Sequence, residues 1–204
     1  MLRVYRIPFS TNVERVALAL AHKGIETESI VIDREDRSPV RRLSGQDLVP
    51  VIDDDGTIVF DSMRILAYLE ERYPQPPLYP ADPARRAELE IFLDWFDRVW
   101  KRPPNEIEAE LGKPEPDRGR IEQLGRAMAG ALDLFEALLG GRDYLFGELS
   151  AADCAAFPFL KYALVWPEGD RELFHEILRD HQPLGPSHPQ LEAWIRRVDA
   201  LPRG

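Results

Sequence analysis

Apolar residues in the first 73 positions follow two spacings, and the changes between them predict the order of strands and helices. Alternating or short continuous apolar runs predict strands, whereas apolar residues three or four apart predict helices. The Asp-Gly pair at 55–56 favours a tight hairpin turn between the last two strands. The predicted strands are 2–7, 27–32, 51–53 and 57–60, and the predicted helices are 11–23, 38–43 and 62–73. The predicted order is therefore βαβ-αββα.

The first helix has a predicted start at Thr11. The run Thr11-Asn12-Val13-Glu14 has the spacing of a capping box, in which Thr11 caps the helix and Glu14 reaches back to the cap backbone. On this hypothesis Ser10 is the last loop residue, and its hydroxyl is available to a ligand. The alternative is that Ser10 is itself the cap.

A proline-rich segment separates the α/β pattern from a purely helical one. Four prolines between positions 74 and 80 exclude regular structure there. The later predicted helices are 84–101, 120–139, 150–165, 171–180 and 190–201, with Pro103-Pro104 as the break after the first of them. We predict an α/β domain at 1–74, a linker at 75–82 and an all-helical domain at 83–204.

Composition and charge narrow the classes of function. The 204 residues are 44% hydrophobic and 30% charged, which is typical of a globular protein. A net charge of −10 disfavours nucleic acids and anionic membranes as partners. Cys154 is the only cysteine, so an internal disulfide is excluded, and the charged start Met1–Arg6 is unlike a signal peptide. We therefore expect a cytoplasmic protein without a membrane span.

Two pairs of residues indicate a ligand. Pro50 lies inside an apolar run, and a cis bond before it would turn the Val49 backbone N–H and C=O outward, where an extended peptide can pair with them. Asp61-Ser62 opens a helix, whose first N–H groups favour an anion. Together they predict a receptor for a small peptide that carries a carboxylate.

The order of these motifs, the linker and the helical second half resembles the glutathione transferase family over essentially the whole chain. The resemblance implies a thioredoxin-like α/β N-terminal domain that binds glutathione, followed by an all-α helical bundle. It also implies that the helical domain supplies most of the electrophile pocket, that the protein is a homodimer and that it serves in detoxification.

The reaction implied by the resemblance needs a donor that stabilises the glutathione thiolate. A free thiol has a pKa of about 8.5, so the nucleophilic thiolate is a minor form at neutral pH. The segment from Ser10 to Val16 resembles the serine-type classes of the family, which implies Ser10 as the catalytic residue. Tyr5, Thr11 and Asn12 remain alternatives, and the alternation around Tyr5 favours a core or interface aromatic.

The resemblance also implies which residues bind the tripeptide. Val49 pairs through its backbone with the cysteinyl part, and Pro50 shapes that turn. Asp61 meets the γ-glutamyl ammonium, and Ser62 holds the γ-glutamyl carboxylate. Plain helix capping is the alternative role for Asp61 and Ser62.

Gln46 is a further candidate, for the glycyl carboxylate. Asp47 and Leu48 stand between it and Val49-Pro50, which departs from the spacing usual in the family and indicates a rebuilt loop.

The electrophile pocket is expected at Phe9, Trp100, Pro103 and Trp166. Aromatic residues at helical spacing are also typical of a core, so packing remains the alternative.

Ser150 and Asp153 have the spacing of a second capping box, which resembles one in the helical domain of the family and has a structural role. The four histidines show no metal-ligand spacing, so we expect no metal cofactor.

These expectations lead to one main hypothesis and one alternative. The main hypothesis is an enzyme, a glutathione S-transferase that uses glutathione as co-substrate to attack a small hydrophobic electrophile by conjugation, isomerisation or dehalogenation. The alternative is a non-catalytic protein of the same fold, used as a binding or interaction module.

Overall fold

The computed structural model describes residues 1–203, which divide into two units. The first unit contains Met1–Pro80 and residues 201–203, and the second contains Ala81–Ala200. The strands are β1 (Leu2–Arg6), β2 (Thr27–Val31), β3 (Val51–Asp54) and β4 (Thr57–Phe60). The helices are α1 (Thr11–His22), α2 (Ser38–Ser44), α3 (Ser62–Arg72), α4 (Pro83–Trp95), α5 (Arg102–Leu111), α6 (Arg118–Leu138), α7 (Ala151–Leu160), α8 (Leu173–Asp180) and α9 (Pro189–Asp199).

The first unit is built on a four-stranded mixed sheet in the order β2-β1-β3-β4. β1 is parallel to β2 and antiparallel to β3, and β3 forms a hairpin with β4. Asp55 and Gly56 make the turn with φ angles of 48° and 94°, because a two-residue hairpin turn needs positive φ at both positions. This is the predicted thioredoxin-like arrangement.

Both faces of this sheet are covered. Val51 on β3 joins Ile32 and Val40 in a buried cluster, to which α2 contributes Val40. Ile52 points to the opposite face of the strand and is also fully buried. Helices α1 and α3 pack against each other and bury their apolar stripes.

The buried side chain of Lys23 binds the start of the proline-rich segment through hydrogen bonds. The Lys23 side chain is fully buried and donates to the Glu70 carboxylate at 2.8 Å and to the carbonyl oxygens of Tyr73 and Pro76 at 2.7 and 3.0 Å. Glu70 also accepts the backbone N–H of Leu78 at 2.9 Å. These bonds satisfy every donor of the ammonium group, so the chain that leaves α3 is held against α1.

The second unit has an aromatic core. The rings of Phe96 and Trp100 are stacked at 4.6 Å, and both make edge contacts with Phe135 and Phe159. Phe96–Trp100 is a π-helical turn between α4 and α5. Such aromatic pairs contribute beyond the area that they bury.

Asp153 is a fully buried carboxylate in the second unit that accepts several hydrogen bonds. Its carboxylate accepts the Ser150 N–H and hydroxyl, both at 2.9 Å, the Leu145 N–H at 3.0 Å and the Trp194 indole N–H at 2.8 Å. The capping box of Ser150 and Asp153 is therefore present at the start of α7, and it also joins α7 to α9 and to the preceding loop. Burial raises the pKa of Asp153, while these donors act in the opposite direction.

Two predicted helices of the second unit differ from the structure. Pro103 and Pro104 do not leave a break but occupy the first turn of α5, which the sequence did not predict as a helix. Proline is tolerated there because the first N–H groups of a helix have no partner within it. The helix predicted to reach residue 165 ends at Leu160 and continues only as the short 3₁₀ turn Lys161–Ala163.

We expect Lys23→Met to lower the free energy of unfolding by about 3 kcal/mol, because it leaves the Glu70 carboxylate buried without its ammonium partner. Urea denaturation followed by circular dichroism measures the change. The matched control is Arg98→Met, which removes an exposed ion pair with Asp94 and should cost less than about 1 kcal/mol. Equal losses in the two variants would show that Lys23 adds no more than a surface charge does.

Candidate functional site

The N-terminus of α1 is capped by Ser10, not by Thr11. The Ser10 Oγ accepts the N–H of Val13 at 3.3 Å, and Ser10 has the extended backbone of a cap residue. Thr11 is already the first helical residue and is only 6% exposed. The prediction that Thr11 caps was wrong, because two successive hydroxyl residues offer equivalent sequence signals and the loop geometry selects the first.

Glu14 has a long-range partner that the capping box did not predict. Its carboxylate pairs with the Arg203 guanidinium at 3.2 Å, which ties the C-terminal end of the described chain to α1. This contact joins residues 189 positions apart, so no local motif could have indicated it.

Two of the non-glycine residues with positive φ lie at the starts of α1 and α3. Phe9 has φ 61° and precedes Ser10, and Asp61 has φ 71° and caps α3. For residues with a side chain this conformation costs free energy and is concentrated at functional sites. The chain therefore enters α1 and α3 through residues, Phe9 and Asp61, whose backbone conformation is strained.

The start of α3 combines a cap with a buried hydroxyl. The Asp61 carboxylate is exposed and accepts the N–H groups of Met63 and Arg64 at 3.0 and 3.1 Å. Ser62 is the first helical residue and is 5% exposed. The capping role that the sequence left open for Asp61 is therefore present, and its exposed carboxylate has further acceptor positions.

Arg15 links the two helices and was missed by the sequence reasoning. Its side chain is fully buried, and its Nη1 donates to the Ser62 Oγ at 3.2 Å. Arg15 lies four residues after Thr11 and three before Leu18, both of them buried, so all three share one face of α1. A charged residue at a core position was the signal that could have identified it.

Val49 and Pro50 lie just before the ladder of β3. The Val49–Pro50 peptide bond is cis, and the first paired residue of the strand is Val51, opposite Tyr5. Val49 is partly buried and packs, like Tyr5, on the cluster of Ile32, Val40 and Val51. Tyr5 is thus a partly buried aromatic that packs on the core of the first unit.

The loop before Val49 is held by its own side chains. The Gln46 amide nitrogen donates to the Ser44 Oγ at 2.9 Å and to the Leu48 carbonyl at 3.0 Å, and its oxygen accepts the Leu48 N–H. Arg41 forms a two-pronged bond with Asp47, at 2.7 Å on each side, and this bond lowers the pKa of the Asp47 carboxyl. Gln46 is therefore engaged in shaping the rebuilt loop.

The residues predicted for the electrophile pocket differ in exposure. Phe9 is 38% exposed and Trp166 is 37% exposed, and the Arg179 guanidinium lies 4.8 Å above the Trp166 ring. Pro103 is half-buried in the first turn of α5. Trp100 is 3% exposed inside the aromatic cluster, which favours the core role that the sequence left as the alternative.

Tyr162, Asp170 and His175 form a second buried polar cluster in the second unit. The Asp170 carboxylate accepts the Tyr162 hydroxyl at 2.8 Å and lies 2.7 Å from the His175 Nδ1, and all three side chains are buried. Burial lowers the pKa of His175, although Asp170 opposes this. The cluster joins the loop after Lys161–Ala163 to α8.

Within residues 1–203, no three His, Cys, Asp or Glu side chains form a group that could hold a metal ion. No helix in the same range is long and apolar enough to cross a membrane.

Comparison with known proteins identifies the two units separately. The family model described as "Glutathione S-transferase, N-terminal domain" matches residues 4–77, and the one described as "Glutathione S-transferase, C-terminal domain" matches residues 118–197. The Tau class glutathione S-transferase from mango, Mangifera indica, has a similar fold, with a TM-score of 0.78 at 21% identity over 98% of this chain and 88% of that one.

Relatives in sequence agree with these matches. A maleylacetoacetate isomerase of Pseudomonas aeruginosa is 40% identical over 93 residues, which cover 42% of this chain and 44% of that protein. Glutathione S-transferase F10 of Arabidopsis thaliana is 30% identical over 190 residues, which cover 86% of this chain and 86% of that protein. With both domain models matched and this relative aligned over most of its length, the chain belongs to the glutathione S-transferase family of enzymes.

Proposed function

We propose that the first unit binds glutathione and that the Ser10 hydroxyl stabilises the glutathione thiolate for attack on a small hydrophobic electrophile. Ser10 is the N-cap of α1, which was the alternative to a loop residue with a free hydroxyl, so the observation that carries this proposal is that its cap bond uses only the oxygen. The Ser10 oxygen accepts the Val13 N–H, so the hydroxyl hydrogen is the part that can be donated to a sulfur anion. Capping and thiolate stabilisation therefore use different parts of one group.

The free energy of a hydrogen bond from Ser10 is large enough to lower the thiol pKa as the reaction requires. Lowering the thiol pKa by about 2 units requires about 2.7 kcal/mol of preferential stabilisation of the thiolate. A hydrogen bond to a charged group contributes about 1.5–3 kcal/mol, and the N-terminal end of α1 adds a favourable dipole. The thiolate then forms a sulfur–carbon bond with the electrophile, which either expels a leaving group with its electron pair or takes up a proton.

The rest of the tripeptide is proposed to lie along the start of β3 and α3. Val49 pairs through its backbone with the cysteinyl residue, as a strand added before the ladder that begins at Val51. Pro50 holds the shape of this turn. Asp61 attracts the γ-glutamyl ammonium, and the Ser62 hydroxyl donates to the γ-glutamyl carboxylate. Gln46 acts on this site only through the loop that it stabilises.

We further propose Pro103 and Trp166, both in the second unit, as contacts of the electrophile, because their side chains are at least partly exposed. Trp100 is left out of this set because it is buried. The Pseudomonas relative is named an isomerase, and isomerisation by the same thiolate, with glutathione released again, is a variant of the proposed reaction. We also propose a role in detoxification and a location in the cytoplasm.

Glutathione binding is tested by calorimetric titration of the wild type and Asp61→Asn. Asparagine keeps the cap and tolerates positive φ, so the fold should be unchanged while the affinity falls on the order of 3- to 10-fold through the lost charge. The control is Asp82→Asn, at the cap of α4, which should bind as the wild type does. A wild type that shows no saturable binding at millimolar glutathione would favour the non-catalytic alternative.

Thiol activation is tested by the thiolate absorbance near 240 nm of bound glutathione as a function of pH. Ser10→Ala should raise the pKa of the bound thiol by about 1–2 units and lower the rate at neutral pH about 10- to 100-fold. Ser10→Gly removes the same hydroxyl with a smaller loss of helix capping and should show the same pKa. If Thr11→Val changes the pKa instead, the activating donor is Thr11.

A homodimer is the proposed assembly, with the surface of β4 and α3 as the contact face. β4 is an edge strand, and a groove of about 500 Å³ beside it is lined by Ile58, Phe60, Arg64 and Tyr68, among others. Light scattering should give twice the 23.4 kDa mass of one chain. Phe60→Asp should shift this mass toward the monomer, whereas Val31→Asp on the opposite edge strand should not. A monomeric wild type would contradict the proposal.

A further inference from the structure

A serine, a histidine and an aspartate are in contact near the start of α9, within the second unit. The Ser187 Oγ lies 3.4 Å from the His188 Nδ1, and the His188 Nε2 lies 3.0 Å from the Asp133 Oδ1. Ser187 and Asp133 are exposed to solvent, whereas His188 is 8% exposed. A hydroxyl, an imidazole and a carboxylate in this order are the parts of a serine nucleophile with its base and the group that orients the base.

The contacts of the imidazole determine which of its nitrogens is the base. An ionised carboxylate only accepts hydrogen bonds, so the Nε2 beside Asp133 carries the hydrogen of the neutral ring. The Nδ1 is then unprotonated, and it also accepts the Gly185 N–H at 3.4 Å, a distance at which little is lost when Nδ1 takes up a proton. The Ser187 hydroxyl therefore donates to a nitrogen that can accept its proton.

A tight turn holds Ser187 beside the imidazole. The His188 N–H donates to the Gly185 carbonyl at 3.0 Å, and Pro186 takes the second position of this turn, where its fixed φ is favourable. Asp133, on α6, holds the far side of the ring. A link between α6 and the start of α9 explains the histidine and the aspartate, but it does not require a hydroxyl beside the Nδ1.

We propose that Ser187 is a nucleophile that takes up the acyl group of activated esters, with His188 as its general base and Asp133 as the positioning residue of the imidazole. The Ser187 Oγ forms a bond with the acyl carbon, and its proton passes to the His188 Nδ1. The bond from the acyl carbon to the leaving oxygen breaks, and the alcohol leaves with the electron pair and receives the proton. Water then hydrolyses the acyl-serine to a carboxylic acid and restores the hydroxyl. The reaction uses no glutathione and is independent of the function proposed above.

The start of α9 limits the rate of this reaction. Glu136 accepts the N–H groups of Gln190 and Leu191 at 3.0 and 2.8 Å, so these two donors are not available to the negative oxygen that develops on the acyl group. General base catalysis contributes on the order of 10²- to 10⁴-fold, and we expect the lower end of this range. The substrates are therefore esters with a good leaving group, such as aryl esters.

The test is incubation of the full chain with p-nitrophenyl acetate in the absence of glutathione. The release of p-nitrophenolate is followed by absorbance, and the acetyl group is located by peptide mass spectrometry. One acetyl group on Ser187 is the expected result, and Ser187→Ala should lose it together with about nine-tenths or more of the rate. Asp133→Asn should lower the rate of acylation about 10-fold, less than a buried aspartate would, because water screens its charge.

A purely structural role of Asp133 would change the free energy of unfolding and not the rate of acylation of the folded protein, so both are measured for Asp133→Asn. The matched control is Ser29→Ala, which removes an exposed hydroxyl that contacts the Arg6 guanidinium instead of an imidazole and should be acylated as the wild type is.

Acetyl groups found only on amines, or an unchanged rate in Ser187→Ala, would overturn the inference. An unchanged rate of acylation in Asp133→Asn would overturn the role of Asp133. Ser187→Ala should bind glutathione as the wild type does, so the failure of either proposal is seen separately from that of the other.

Discussion

The hydrogen bond between the Arg15 guanidinium and the Ser62 hydroxyl is the interaction on which the arrangement of the site depends. It is buried, and it joins the helix that begins at Ser10 to the helix that begins after Asp61. Both helix N-termini are sources of positive potential, and this contact fixes the distance between them. The ion pair and carbonyl contacts of Lys23 stabilise the same pair of helices at their other ends.

Helix caps in this protein have more than one role. Ser10 satisfies an N–H of α1 with its oxygen and keeps a hydroxyl hydrogen to donate, while Asp61 satisfies two N–H groups of α3 and keeps an exposed carboxylate. Asp153 caps α7 and also binds Trp194 of α9. These three cap residues differ in solvent exposure. Ser10 and Asp61 are at least partly exposed, whereas Asp153 is fully buried. A cap can therefore contribute to a site only where the end of its helix is accessible.

Local signals predicted most of the elements correctly. The hairpin at Asp55-Gly56 and the start of α7 at Ser150 each depend on a few neighbouring residues, and both are present as expected. The sequence-based predictions were wrong where one local pattern is compatible with two structures. Ser10 and Thr11 are equivalent as caps from sequence, and the pair Pro103-Pro104 can equally end one helix or begin another.

The sequence by itself determined the order of elements in the first unit and the types of the two domains. It also determined which residues carry polar groups to the starts of α1 and α3, because hydrophobic spacing, capping and turn chemistry act over a few residues. Only the tertiary structure decided which hydroxyl caps α1, that Glu14 pairs with Arg203, and that Arg15 lies behind Ser62. The two pairings join residues far apart in the chain. They exist because packing brings the elements together, and no local pattern contains that information.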